Sequence, residues 1–391
     1  MTLNLVADKV VQGKIYPGLA RYQAEPFTQG WREFGNHYPN TIPFRPQEYC
    51  NKHGVDINIH SIHNYPANSY YPIGLNFFNF EVDYFALMSS EVHTALTNGL
   101  RVLFYYHEGD NPEHIKQRLD SCVQQHQLPQ DCYVFVSGNT AAKNIPGFVY
   151  FADFELWFWH RNQNAPALEI HNNPRSRDFT ALSRLHKSWR ATVIADLQAL
   201  GVLDNSYWSY CETGKLIDDE NPVEIDCFDH LRYDVAKFLH HAPYFSDDLT
   251  NDQRNDHSQL TAKFFTDAYC NLVLETHFDA DQSGGAFLTE KTFKPIKYGQ
   301  PFFIIGCAGS LQTLRDLGYR VFDNVFDNSY DTIQNNTERW AQLRKTIIAA
   351  RPHITELFEQ CIPDLEHNQQ LFAANKAERL NTLIKDIHES R

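Results

Sequence analysis

The chain has 391 residues, 42% hydrophobic and 21% charged, with a formal net charge of −14. That length exceeds one ordinary core and predicts two domains. So acidic a balance makes the chain a poor candidate for wrapping a nucleic-acid backbone over a broad surface, while a local basic patch can still hold one nucleotide.

The 28 Phe and 20 Tyr are ample material for two cores. The eight cysteines are scattered with no CxxC pair, which argues against a zinc site or a disulfide framework and for small buried hydrophobes in a reducing compartment. The start, MTLNLVADKVVQGK, lacks the basic and apolar regions of a signal peptide. No window is apolar over the roughly 18 residues a membrane span needs, so a cytoplasmic protein is expected.

Residues 1–70 are rich in Pro, Asn, His and Tyr, with weak periodicity. In DYFALMSSEVHTALTNG, Tyr84, Phe85, Leu87, Met88, Val92, Ala95 and Leu96 fall at helical spacing, and Gly99 ends the run. RVLFYY then reads as a buried strand. PEHIKQRLDSCVQQH predicts a helix opening at Pro112, with Ile115, Leu119, Cys122 and Val123 on one face. CYVFVSGNT is a strand running into a polar turn, and GFVYFADFELWFW is apolar and reads as β-rich. This alternation predicts a parallel sheet.

The polar stretch HRNQNAPALEIHNNPRSRD, residues 160–178, interrupts the pattern and predicts a linker, giving domains 1–172 and 173–391. Beyond it, FTALSR is a short strand. SWRATVIADLQALG is a helix with Trp189, Val193, Ile194, Leu197 and Leu200 turned inward. CNLVLET is a strand. FLTEKTFKPIKYGQPFFIIG supplies a short helix and a strand, GSLQTLRDLG a helix and YRVF another strand. Helical patterns close the chain over about 331–350 and 366–387.

Parallel sheets bind ligands beyond the carboxyl ends of their strands, so the chemistry is sought there. Glu275 stands at the end of CNLVLET. Farther on, Thr289 or Thr292 can cap a helix, with Pro295 in the first turn counted from Thr292. A helix start with Lys291 and Lys294 beside it favours phosphate, and Glu290 offers two acceptors for the vicinal hydroxyls of a ribose. A capped surface helix with solvated charges explains the same residues. In SRLHKSWR, Arg184, His186, Lys187 and Arg190 suit a diphosphate clamp. The plainer alternative, a basic first turn on a surface helix, opposes the helix dipole. In YYHEGDNP, His107 or Glu108 could act as general base, while Asp110 or Asn111 caps the helix at Pro112. VSGNT is explained by turn chemistry. His60, His63, His240 and His241 lack metal-ligand convergence and read as structural. GxGxxG after a strand, GxxxxGK[ST], GxSxG and HExxH are all missing, which argues against dinucleotide oxidoreductases, P-loop NTPases, α/β-hydrolases and zinc proteases.

The segment ETHF…AFLTEKTFKPIKYGQPFFIIGCAGSLQTLRDLGYRVF resembles the donor-binding segment of GT-B glycosyltransferases, in particular relatives of the α1,3-fucosyltransferases and uncharacterised glycosyltransferase-like proteins of phages and large viruses. The resemblance covers roughly residues 184–331. It implies an α/β fold of two Rossmann-like domains facing across a central cleft and a UDP- or GDP-linked sugar donor bound by the C-terminal domain. It also implies metal-independent transfer to a glycan or other hydroxyl acceptor, in a host cytoplasm if the source is viral. Glu290 would hold the ribose and Lys291 the phosphates. Arg184, then Lys187 and Arg190, would clamp the diphosphate, with Thr289 and Glu275 at the same turn. The catalytic base has no counterpart in the resemblance. Glu108 and His107 are candidates from the residues alone, with Asp153 and Glu155 behind them. Two other functions fit the same fold: a non-catalytic nucleotide- or sugar-binding protein, and a phage-type DNA base glycosyltransferase, against which the net charge counts.

Overall fold

The structure is a computed structural model that describes residues 2–7, 50, 53–75, 78–162, 170, 174–184, 186–210, 232–245 and 261–390. Most of the expected linker, and Cys211 and Cys227, lie outside the described residues. The chain forms two units. One comprises Met1–Leu156, Asp281–Gly285 and Asn375–Arg391, the other Trp157–Ala280 and Ala286–Ala374.

The first unit is built on β1 (Leu3–Ala7), β2 (Ile57–Ser61), β3 (Ser69–Leu75), α1 (Ser90–Thr97), β4 (Arg101–Tyr106), α2 (Pro112–Gln125), β5 (Tyr133–Ser137), β6 (Phe148–Tyr150) and the first turn of α3 (Asp153–Asn162). Its six strands are all parallel, in the order β2-β1-β3-β4-β5-β6. β5 is buried throughout and β4 at every residue but Arg101, as a sheet covered on both faces requires. Phe135 stacks on Phe148 at 4.9 Å and meets Phe104, Tyr106 and Phe78 in one aromatic core.

The second unit contains β7 (Arg177–Ser183), α4 (Ser188–Ala199), β8 (Tyr207–Tyr210), α5 (Arg232–His241), β9 (Ala268–Leu274), α6 (Glu290–Tyr298), β10 (Phe302–Ile305), α7 (Ser310–Asp316), α8 (Asn336–Ala350) and α9 (Ile354–Ala373). Its strands are again parallel, in the order β10-β9-β7-β8. Both units are therefore Rossmann-like α/β units, the pair expected of a GT-B chain. In each, the first strand lies between the second and the third. Strand order thus reverses between β1 and β3 in one sheet and between β7 and β9 in the other. Such switch points open a crevice at the carboxyl ends of the two strands.

Several expectations are corrected. GFVYFADFELWFW is strand only to Tyr150 and then becomes α3. Asp153 and Glu155 lie in its first turn, where carboxylates favour a helix start, and a short apolar run does not distinguish strand from helix by period. YRVF forms no strand. The amide of Asn368 takes the place of a ladder, accepting from Arg320 N at 2.8 Å and donating to Arg320 O at 2.8 Å, and Phe322 then turns with φ of 62°. The helix sought from Tyr84 starts only at Ser90, because Asp83 folds the chain back by accepting from Phe85 N and Ala86 N. The helix expected over 366–387 is divided. α9 ends at Ala373, and α10 (Ala377–Glu389) begins after Asn375 accepts from Ala377 N.

The segment Asn375–Arg391, expected with the C-terminal domain, belongs to the first unit. Glu155, 0% exposed, holds Lys376 Nζ at 3.0 Å and Arg379 Nε at 2.9 Å, and the Tyr70 hydroxyl donates to Ile387 O. Glu155 is thereby a structural anchor. Asp281–Gly285 also joins the first unit. There the buried Asn139 donates to Gly109 O at 2.9 Å and Ser283 O at 2.6 Å. A Cβ on Gly285 would lie 2.6 Å from Asn139 Oδ1, so only glycine allows this approach. The VSGNT turn is thus a clamp on a distant loop.

Candidate functional site

The two charged clusters of the second unit meet at the β7/β9 switch point. β7 ends at Ser183 and leads into Arg184, His186, Lys187 and Arg190; β9 ends at Leu274 and leads into Glu275 and Thr276. Arg190 is buried and donates to Glu275 O through Nε at 3.2 Å and Nη2 at 2.5 Å. Lys187 Nζ donates to Thr276 O at 2.7 Å. From the other side Lys291 Nζ reaches Thr276 Oγ1 at 3.5 Å, Thr289 Oγ1 at 3.0 Å and Glu290 Oε1 at 3.4 Å. Thr276 is thus bracketed by Lys187 and Lys291, roughly a hundred residues apart in sequence.

The TEK turn is held by Glu275. One carboxylate oxygen accepts from Thr289 N at 2.9 Å and Thr292 Oγ1 at 2.6 Å; the other accepts from Thr289 Oγ1 at 2.8 Å and Thr276 N at 3.0 Å. Four donors fill the acceptor sites of one carboxylate, so Glu275 positions the turn. Thr289 is the N-cap of α6, its hydroxyl accepting from Lys291 N. Because α6 starts at Glu290, Pro295 lies in the helix body rather than in a first turn beginning at Thr292. Gly299 ends the helix at φ of 64°, and Gln300 N closes onto Pro295 O.

Glu290 is 4% exposed, beside the half-exposed Lys291. Burial holds the Arg190 guanidinium below its ordinary pKa, with Arg184 adding to the effect and Glu275 and Glu290 opposing it. The switch point therefore gathers Arg184, Lys187, Arg190 and Lys291 around two carboxylates. A second helix start is closed to anions. The Asp331 carboxylate accepts from Leu311 N and Gln312 N at 2.9 Å each and caps α7 after the GCAGS loop. Among the described residues no group of three or more His, Cys, Asp or Glu side chains converges as metal ligands would, and no helix is long and apolar enough to cross a membrane.

No protein-family model matches this chain, and no curated protein matches it. It is similar to a solved structure of the DNA-modifying enzyme β-glucosyltransferase, determined with and without its substrate uridine diphosphoglucose. Identity is 10% over 99% of each chain, with a TM-score of 0.38. Neither an activity nor a substrate follows from a likeness of that degree.

In the first unit, His107 and Glu108 follow the carboxyl end of β4, one strand away from the β1/β3 switch point. His107 is nearly buried, its Nε2 3.4 Å from Glu108 Oε1 and its ring beside Phe154. Asn111, not Asp110, caps α2, and Asp110 accepts from the Tyr106 hydroxyl at 2.5 Å. Asp153 accepts from the Tyr105 hydroxyl at 2.5 Å. Sequence reasoning named Thr292 only as an alternative helix cap and assigned no role to Thr276 or Tyr210. The two threonines carry no signal except their place around Glu275. Tyr210 becomes a neighbour of His186 only because β8 lies beside β7.

Proposed function

We propose that the protein is a glycosyltransferase that binds a UDP- or GDP-linked sugar at the β7/β9 switch point and passes the sugar to an acceptor hydroxyl. The observation that carries this reading is the convergence of SRLHKSWR and TEK on Glu275 and Thr276. Four cationic side chains at the crevice of a parallel sheet suit a diphosphate, and the resemblance of the same two segments gives them that role. Glu290 accepts from the ribose hydroxyls. Lys291, Arg184, Lys187 and Arg190 stabilise the charge that develops on the departing diphosphate.

In the transfer, the acceptor oxygen forms a bond to the anomeric carbon as the bond from that carbon to the diphosphate oxygen breaks. The acceptor proton passes to a base, for which His107 and Glu108 are the candidates, and the nucleoside diphosphate leaves with the bonding pair. The cationic set is offered as sufficient without a metal.

A thermal-shift screen against UDP, GDP, CDP and their sugar conjugates tests the reading, because a ligand bound only by the native state raises the melting temperature by mass action. At least one is expected to do so. If none does at millimolar concentration, the assignment falls. Labelled donor offered to glycans and to hydroxymethylated duplex DNA then identifies the acceptor. Binding with neither transfer nor hydrolysis would make the chain a nucleotide-sugar binder.

A further inference from the structure

His186 lies within the same segment as the three cations from β7 and α4, yet the reading above gives it no role. Its Nδ1 is hydrogen-bonded to the Tyr210 hydroxyl at the end of β8, and the rings meet edge to face with centroids 6.0 Å apart. Its Nε2 has no hydrogen-bond partner among the described residues. The charged group that faces it is Arg190 on α4, which in turn feels Arg184, Glu275 and Glu290.

An imidazole in that position responds to what fills the crevice. With the crevice empty, protonation would add a cation next to a buried guanidinium, and burial opposes it further. Both effects hold the ring below its ordinary pKa, burial being the larger. A diphosphate reverses the sign of the local field. Both ring nitrogens of an imidazolium donate, so Tyr210 then accepts at Nδ1 and Nε2–H is free to point at a phosphate oxygen.

We propose that His186 is a further contact for the diphosphate and engages it as imidazolium, so that donor binding takes up a proton from solvent. This rests on the site assignment above and adds to it a residue and a pH dependence. Affinity rises as pH falls toward the histidine range, by at most about tenfold per pH unit for one coupled proton.

Isothermal titration of UDP-glucose and GDP-fucose, whose diphosphates have no group titrating near neutrality, tests this at pH 7.0 in buffers of differing ionisation enthalpy. The slope of binding enthalpy against buffer enthalpy gives the protons taken up. A positive uptake in the wild type, abolished in His186→Gln and retained in His277→Gln, is expected. Zero uptake by the wild type with binding intact overturns the proposal without recourse to any variant. So does uptake that persists in a folded His186→Gln or disappears in His277→Gln. Failure of both sugars to bind overturns the site assignment itself, a distinct result.

Discussion

Glu275→Gln is the substitution that most directly probes how the site is held. The carboxylate accepts four hydrogen bonds, one backbone N–H and one hydroxyl on each oxygen. Whichever way the amide settles, its NH2 faces a backbone donor, Thr289 N or Thr276 N. A threonine hydroxyl can turn away, but an N–H cannot. Losing one hydrogen bond to a charged group costs about 1.5–3 kcal/mol, and the three that remain weaken as the acceptor becomes neutral. A loss of about 3 kcal/mol is expected, large against the roughly 5–15 kcal/mol that holds a native domain. Urea unfolding followed by tryptophan fluorescence would show the midpoint falling by about 1 M for a slope near 3 kcal/mol/M. The nucleotide-induced thermal shift should disappear with it, since the cap of α6 loosens. A variant that unfolds within about 0.5 kcal/mol of wild type, the range of ordinary surface changes, and binds nucleotide normally would show that Glu275 does not organise the turn.

Other perturbations give separate tests. Lys291→Ala and Glu290→Ala are each expected to abolish the nucleotide thermal shift while leaving the far-UV spectrum unchanged; a retained shift would place the ligand elsewhere. Lys376→Ala removes a buried cation held by the fully buried Glu155 and should cost about 3–5 kcal/mol, the usual penalty for breaking a buried pair, and an unaltered unfolding midpoint would refute it. Gly299→Ala forces a left-handed φ on a residue whose Cβ would lie 2.5 Å from Ile170 Cγ1, so a loss above about 1 kcal/mol is expected in chemical denaturation. Lys297 donates to Asn162 O at 2.9 Å, and burial lowers its pKa to about 8 from 10.5. Between those values the unfolded chain holds more protons, so stability rises with pH. The contribution unfavourable to folding is complete below pH 8 and relieved toward 10.5. Lys297→Met should therefore gain relative to wild type at pH 7 and lose that gain by pH 10, as read from paired denaturation curves.

The parts of the fold visible in the sequence were those whose signal is local. RVLFYY and YVFVS read as strands because a parallel sheet buries both faces and leaves continuous apolar runs. α2 announced itself through Asn111 and Pro112. What depends on distant partners was not visible. Nothing in YRVF reveals that Asn368 will pair with Arg320, and FELWFW is equally apolar as strand or helix. The site divides in the same way. TEK and SRLHKSWR could each be read as anion-binding chemistry, but each had an equally good explanation as a helix start. Their meeting follows from the order β10-β9-β7-β8, a product of long-range pairing that also brings Tyr210 to His186.

The return of α10 to the first unit separates the order of synthesis from the order of folding. The second unit's last residue in the chain is Ala374, whereas the first unit needs Lys376, Arg379 and Ile387 to neutralise Glu155 and engage Tyr70. During translation the half made first thus lacks these two ion-pair partners of Glu155 until the helix made last arrives. A protein shortened at residue 374 would carry the lesion in the unit farthest along the chain from the cut.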